Sequence, residues 1–207
     1  MSNFTQIFAL GGDDDDDESG AGEEPEWPPW FAPPEDELGA VVPQGVVVAR
    51  SDRAVVALSH AVVYRTGVTF DVVAVARGLP QSDANRLFHE QHMFEDEELP
   101  DALLRIGLEL ADGHRVSNLG GWRAHRKLMS PDAEPDGPVL LPHGGGGGSS
   151  TRGKVTLKPG FWLWPLPPPG QLRISCEWPL VDIAMTTVEI DADALLDAAS
   201  RARSLWP

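Results

Sequence analysis

Phe161-Trp162-Leu163-Trp164-Pro165-Leu166-Pro167-Pro168-Pro169-Gly170, followed at once by Gln171-Leu172-Arg173-Ile174-Ser175-Cys176-Glu177-Trp178-Pro179, is the most structurally determined part of the chain. Tryptophan buries more apolar area than any other side chain, and three prolines before a glycine stop a strand and stiffen the turn. The two apolar runs therefore read as strands on either side of a rigid connection. Leu172, Ile174, Cys176 and Trp178 alternate with Arg173, Ser175 and Glu177, the period of a half-buried strand. That alternation puts the Cys176 thiol on the apolar face, where cysteine packs as a small hydrophobe and not as a nucleophile.

Pairing sharpens the reading. With Pro167–Gly170 as a four-residue hairpin loop, Leu163 opposes Ile174 and Phe161 opposes Cys176. Trp162 then faces Ser175 and Trp164 faces Arg173, away from those apolar partners, with a cation–π contact between Trp164 and Arg173. Two tryptophans on a polar face need cover, and the candidates are the second helix, the aromatics Trp27 and Trp30, or another chain. A single bulge reverses the parity and buries both in the core. Trp162, Trp164, Arg173, Trp27 and Trp30 are accordingly the candidate interaction surface.

Outward from this stretch the β pattern continues. Gly45–Arg50, Ala54–Arg65 and Gly67–Arg77 are Val-rich without helical periodicity, and Ser51-Asp52 and Thr66-Gly67 punctuate them. In Leu103–Ala111 the residues Leu104, Ile106, Leu108 and Leu110 share one face, and Asp112-Gly113 signals a two-residue hairpin into His114–Leu119. Val139–Pro142, Lys154–Leu157, Phe161–Leu166, Leu172–Trp178 and Ile183–Ile190 read as further strands. Ser82 caps a predicted helix through Ser82–Glu98, with Leu87, Phe88, Gln91 and Phe94 as a rough stripe. Asp191 or Asp193 caps a second over Ala194–Arg203. Residues 120–138 and 143–153 read as flexible loops, the latter because of the pentaglycine Gly144–Gly148. The sum is a mainly β chain, an antiparallel β-sandwich of immunoglobulin-like type with two helices.

Charge separates a tail from a body. Residues 1–37 hold twelve acids and neither Lys nor Arg, whereas the remainder holds twenty acids against sixteen bases. The formal −16 divides into −12 for the tail and −4 for the body. Acidic runs with Pro25, Pro28, Pro29, Pro33 and Pro34 predict a disordered or polyproline tail over 1–37, ahead of one sandwich domain over 38–207. Trp27, Trp30 and Phe31 are its exception, being costly to leave in water. A nearly balanced body lacks the basic footprint of a nucleic-acid binder. One cysteine fits a reducing compartment, and the chain shows neither a signal-peptide pattern nor an apolar run of membrane-spanning length. The expectation is a cytoplasmic protein.

The residue pattern also resembles a known group. Val56-Ala57-Leu58, Tyr64-Arg65-Thr66-Gly67-Val68-Thr69-Phe70, Trp164-Pro165-Leu166-Pro167-Pro168-Pro169-Gly170, Cys176-Glu177-Trp178-Pro179, Glu189-Ile190-Asp191 and Leu205-Trp206-Pro207 together resemble a group of uncharacterised proteins from high-GC bacteria. The resemblance spans roughly Ala40 to Pro207 and implies a compact β-domain of ordinary size. It carries over no catalytic residue.

Chemistry-bearing patterns are sparse. Gly148-Ser149-Ser150-Thr151-Arg152-Gly153-Lys154-Val155 follows a phosphate-binding loop up to Lys154, but Val155 stands where a hydroxyl must reach magnesium. That loop must also open a helix, and Val155–Leu157 reads as strand. His89 and His92 share a helix face with Glu95 or Asp96 nearby, whereas His60, His114, His125 and His143 stand apart without ligand spacing. No catalytic, metal or cofactor residue is assigned. The expected function is a non-enzymatic binding or assembly module using the aromatic surface, with a protein or a second copy as partner and neither nucleic acid nor membrane. The alternatives are an enzyme with a pocket under the 120–153 loops, and a regulator that binds a basic partner through its acidic tail.

Overall fold

The computed structural model describes residues 27–89, 91, 99–120 and 126–207. The chain is mainly β, and its strands form two antiparallel sheets packed face to face. The larger sheet holds β2 (Ala40–Arg50), β3 (Ala54–Val63), β4 (Val68–Arg77), β7 (Val139–Thr151) and β8 (Lys154–Trp164) in the order β2-β3-β4-β8-β7. The smaller holds β5 (Arg105–Glu109), β6 (Arg115–Ser117), β9 (Gln171–Trp178) and β10 (Ile183–Asp191) in the order β10-β9-β5-β6. A two-residue ladder joins β1 (Glu37–Leu38) to β11 (Arg203–Ser204) near the end of the chain.

Local chemistry sets the turns. Ser51 Oγ accepts from the N–H of Arg53 and of Ala54 and donates to the Val181 carbonyl at 2.6 Å, tying the β2–β3 turn to the connection between β9 and β10 of the other sheet. The hairpin expected at Asp112-Gly113 joins β5 to β6, with a longer loop than expected. Gly113 N–H bonds back to the Leu110 carbonyl at 2.9 Å, and Gly113 itself has φ 89°. A type I turn followed by a left-handed glycine gives this three-residue loop its bulge. The helix α1 (Gln81–His89) follows β4, and α2 (Ala192–Ala199) follows β10 with Asp191 as its cap, accepting from Asp193 N–H at 2.9 Å.

The core lies where the inward faces of the sheets meet. Val48, Val56, Leu58, Phe70, Val72, Leu140 and Phe161 of the larger sheet and Ile106, Leu108 and Ile174 of the smaller enclose one small apolar void of about 10 Å³. The expected alternations hold. Leu104, Ile106, Leu108 and Leu110 are buried, and so are Leu172, Ile174, Cys176 and Trp178.

Two expectations are corrected. β8 and β9 are not a hairpin: β8 pairs with β4 and β7, β9 with β5 and β10. Pro165–Gly170 is a crossover between sheets, anchored where Leu166 N–H bonds the Thr66 carbonyl at 3.1 Å. Three prolines remove the donors that a sheet ladder needs, so the chain leaves the sheet there and does not fold back into it. Nor is 143–153 a loop. Gly147–Thr151 pair with Lys154–Lys158 around a tight Arg152-Gly153 turn, both residues having positive φ. Glycine is tolerated because this is an edge strand, and a register shift between His143 and Gly147 absorbs the surplus residues as a bulge.

Candidate functional site

The outward side of the five-stranded sheet carries the site. Strand register sets its side chains in rows across the strands. One row runs Val41–Val62–Thr69–Trp162–Leu141, and the next Pro43–His60–Asp71–Gly160–His143. On a half-solvated sheet such positions are polar or exposed. Here Trp162 is 0% exposed, Thr69 5% and Leu141 7%. Phe161, Trp162 and Leu163 are thus buried in succession, so the end of β8 is covered on both sides.

The cover is the chain's own Trp27–Phe31. Pro28 to Phe31 make a turn closed by the Phe31 N–H and Pro28 carbonyl at 2.8 Å, with Pro29 at the position where its fixed φ suits a turn. The turn stacks Trp27 against Phe31, with ring centroids 4.9 Å apart. It also sends Trp30 inward, edge-on to Trp164 at 5.9 Å. The Trp162 indole N–H donates to the Pro29 carbonyl at 3.1 Å, and the Trp30 N–H donates to the Leu128 carbonyl at 3.0 Å. Tyr64 meets Trp162 edge-on at 5.7 Å. Burial, with Glu37 and Asp71 nearby, pushes the Tyr64 phenol above its ordinary range. Gly67 makes room for the indole: a Cβ there would sit 2.5 Å from Trp162 Cη2 and 2.6 Å from the Leu163 carbonyl.

Three of the five residues read from the sequence, Trp30, Trp162 and Trp164, therefore gather at this site, and Trp27 flanks them on the same turn, 40% exposed and against Phe31. Within the tail expected over 1–37, Trp27–Phe31 fold onto the sheet. Arg173 is elsewhere. It lies on the outward side of the other sheet, donating to Glu109 and Glu189 at 3.0 Å each, so there is no Trp164–Arg173 cation–π pair. The false hairpin register put them together. Of the candidate covers, the tail aromatics are the ones that do it. Tyr64, Leu141 and the Pro29 carbonyl were missed. Tyr64 ends a Val-rich strand, and a single aromatic at a strand end gives no sign of which face it serves.

The other sequence leads are placed as well. Burial, with Glu177 beside it, pushes the Cys176 thiol up to about 12, which removes it as a nucleophile. Trp178 is buried and bonds the Ala102 carbonyl at 2.9 Å. The phosphate-loop lookalike is the β7–β8 hairpin, with Lys154 beginning a strand as the sequence argued. His60 contacts Asp71 at 3.4 Å and Ser59 Oγ at 3.0 Å on the open sheet. Among the described residues no three of His, Cys, Asp and Glu converge to hold a metal ion. His92, Glu95, Asp96, Trp122 and His125 lie outside the described residues.

A pocket of about 50 Å³ opens beside the glycine bulge, between Pro142, Gly144, Gly147, Lys158 and Phe161 on one wall and Gln91, Leu104 and Asn118 on the other. Its amides are already engaged. Gln91 bonds the Ala102 carbonyl and the Leu104 N–H, while Asn118 bonds the Leu104 carbonyl and the Ile106 N–H. Lys158 is the one ionisable residue in that wall among the described residues. No helix among the described residues is long and apolar enough to cross a membrane.

Compared with protein-family models, with curated proteins and with solved structures, the chain has no match in any of the three.

Proposed function

We propose that the protein is a non-enzymatic binding or assembly module of a reducing, cytoplasmic setting, whose groove of Tyr64, Trp162, Trp164 and Leu141 takes segments rich in proline and tryptophan. The observation that carries this reading is the Trp162 indole N–H donating to the Pro29 carbonyl at 3.1 Å. An aromatic groove with an indole donor aimed at a proline carbonyl suits stiff proline segments, which lose little entropy on docking. The groove's present occupant is Trp27–Phe31 of the same chain. A partner protein's segment, or that of a second copy, enters by exchange.

The pocket beside the glycine bulge argues against the enzymatic alternative, because its amides serve the backbone and no acid–base pair lines it among the described residues. A synthetic peptide of residues 27–34, titrated into the full chain carrying Trp30→Leu, tests the groove by tryptophan fluorescence. Saturable binding is expected there. The unaltered chain should bind far more weakly, since its own segment acts at high effective concentration. A folded Trp30→Leu chain that binds no peptide overturns the reading.

A further inference from the structure

Trp27–Phe31 covers the Trp162 end of the outward side of the five-stranded sheet; toward Lys154 the outward positions are exposed or half-buried. There Val47, Ala57 and Val73 stand in one row, with Lys158 abreast of Gly147. The next row is Arg50–Val55–Val75–Thr156–Ser149, and the last is Arg77–Lys154–Thr151. Val47 and Val55 are 40% and 39% exposed, and Arg50, Arg77, Lys154 and Lys158 are exposed too. No carboxylate occupies an outward strand position in these rows. Arg77 donates to the Asp52 carbonyl, and Arg50, Lys154 and Lys158 make no ion pair among the described residues. The nearest acid on the face, Asp71, contacts His60.

The smaller sheet treats its outward side differently. Arg115, Glu109, Arg173 and Glu189 alternate in sign across β6, β5, β9 and β10 at 2.7 to 3.0 Å, and Ser175 meets Thr187 at 2.9 Å. That face is neutralised from within. The Lys154 end of the larger sheet carries positive charge on an apolar floor, without a paired carboxylate for Arg50, Lys154 or Lys158 among the described residues.

Residues 1–26 supply the complement. They hold nine acids, no Lys or Arg, and the apolar side chains Phe4, Ile7, Phe8 and Leu10. The chain joins this same face at Trp27. Along β8 from Trp162 to Lys154 is about 26 Å at roughly 3.3 Å per residue. The ten residues from Asp17 to Trp27 span up to roughly 33 Å when extended, so the aspartate run reaches the last cations.

We infer that the cationic end of this face is the docking surface of the chain's own acidic segment, residues 13–26. Single exposed ion pairs are weak and screened by salt, so the seating depends on several of them together. The inference does not rest on the groove reading, since Trp27–Phe31 stay in place throughout.

The test is a nitroxide at Ser19→Cys in the full chain, the buried Cys176 staying unlabelled, read by amide resonance intensities. At about 0.02 M salt the amides of Val55, Val75, Thr156 and Lys158 should lose intensity and recover at about 0.5 M, where the screening length is a few ångströms. Lys154→Glu with Lys158→Glu should abolish the loss, and Lys154→Gln with Lys158→Gln should weaken it; all four substitutions fall on exposed positions. Three outcomes overturn the inference: no loss at low salt, loss centred on Arg173 and Thr187, or loss indifferent to charge reversal. Attenuation that vanishes on dilution with unlabelled chain assigns the face to a second copy and overturns it equally.

Discussion

At the scale of single residues, the covered face turns on Trp162 and the room that Gly67 leaves for it. Gly67→Ala forces a methyl against both indole and backbone, and overpacking of this kind costs about 1–3 kcal/mol. Gly107→Ala is the control, because its Cβ would meet nothing nearer than the Val116 carbonyl at 3.6 Å. Thermal unfolding should separate the two clearly. Trp162→Ser should cost about 3–5 kcal/mol, the scale of truncating a buried aromatic, and lower the melting temperature steeply. His143 offers a pH signature. Burial holds its imidazole below the ordinary 6.5, with Asp71 pulling the other way. The unfolded chain therefore takes up this proton first, so the contribution is full above that value and is lost as pH falls below it. His143→Gln should flatten the change in urea midpoint between about pH 7 and about pH 5.5. Glu109, held below its ordinary value by Arg115 and Arg173, loses its contribution only at lower pH. Residue parity was legible in part: strict alternation put Cys176 and Trp178 inside, whereas the outward facing of Trp162 and Trp164, and their need of cover, rested on a hairpin pairing that the structure lacks, with burial in the core left open. The nature of that cover was not fixed by parity, because alternation says which face a side chain takes and nothing of what lies beyond it.

Elements were read well where local chemistry decides them. The Val-rich runs are β2, β3 and β4, the Leu104–Leu110 alternation contains β5, and the last helix is capped by one of the two aspartates named for it. Asp191→Ala should lower stability by about 1 kcal/mol, read as a shift in melting temperature, while Asp197→Ala in the same helix should change little. The glycine run misled because flexibility is what five glycines do in isolation. A neighbouring strand with free carbonyls and N–H groups recruits such a backbone into a ladder regardless of side chains. The disordered or polyproline tail expected over 1–37 gives way at Trp27–Phe31, the stretch whose aromatics were its exception, for a related reason. Proline fixes φ but leaves open whether the chain extends or turns, and burial of Trp30 in the aromatic groove selects the turn.

For the molecule as a whole, sheet membership was the illegible quantity. Two strands flanking a short connection pair with each other in a hairpin and face each other in a sandwich, and the residues between them look alike in both cases. Only the rest of the fold decides, since β8 finds β4 and β7 as neighbours and so leaves β9 to the other sheet. Truncation divides the N-terminal segment by what it touches. Removing residues 1–26 should leave the melting temperature within a degree or two, whereas removing 1–31 strips the groove and should cost at least as much as a buried aromatic, about 3 kcal/mol. Differential scanning calorimetry of the two truncations reads this directly. The groove also has a history in time. Its covering turn precedes every strand among the described residues, yet Leu141, Trp162 and Trp164 belong to strands made more than a hundred residues later. During synthesis from the N-terminus, Trp27 and Trp30 emerge with no seat to occupy, and must stay uncommitted until β7 and β8 complete the sheet. The segment leaves the ribosome before the strands that seat it, and for that interval it is open to any other surface that offers an aromatic groove.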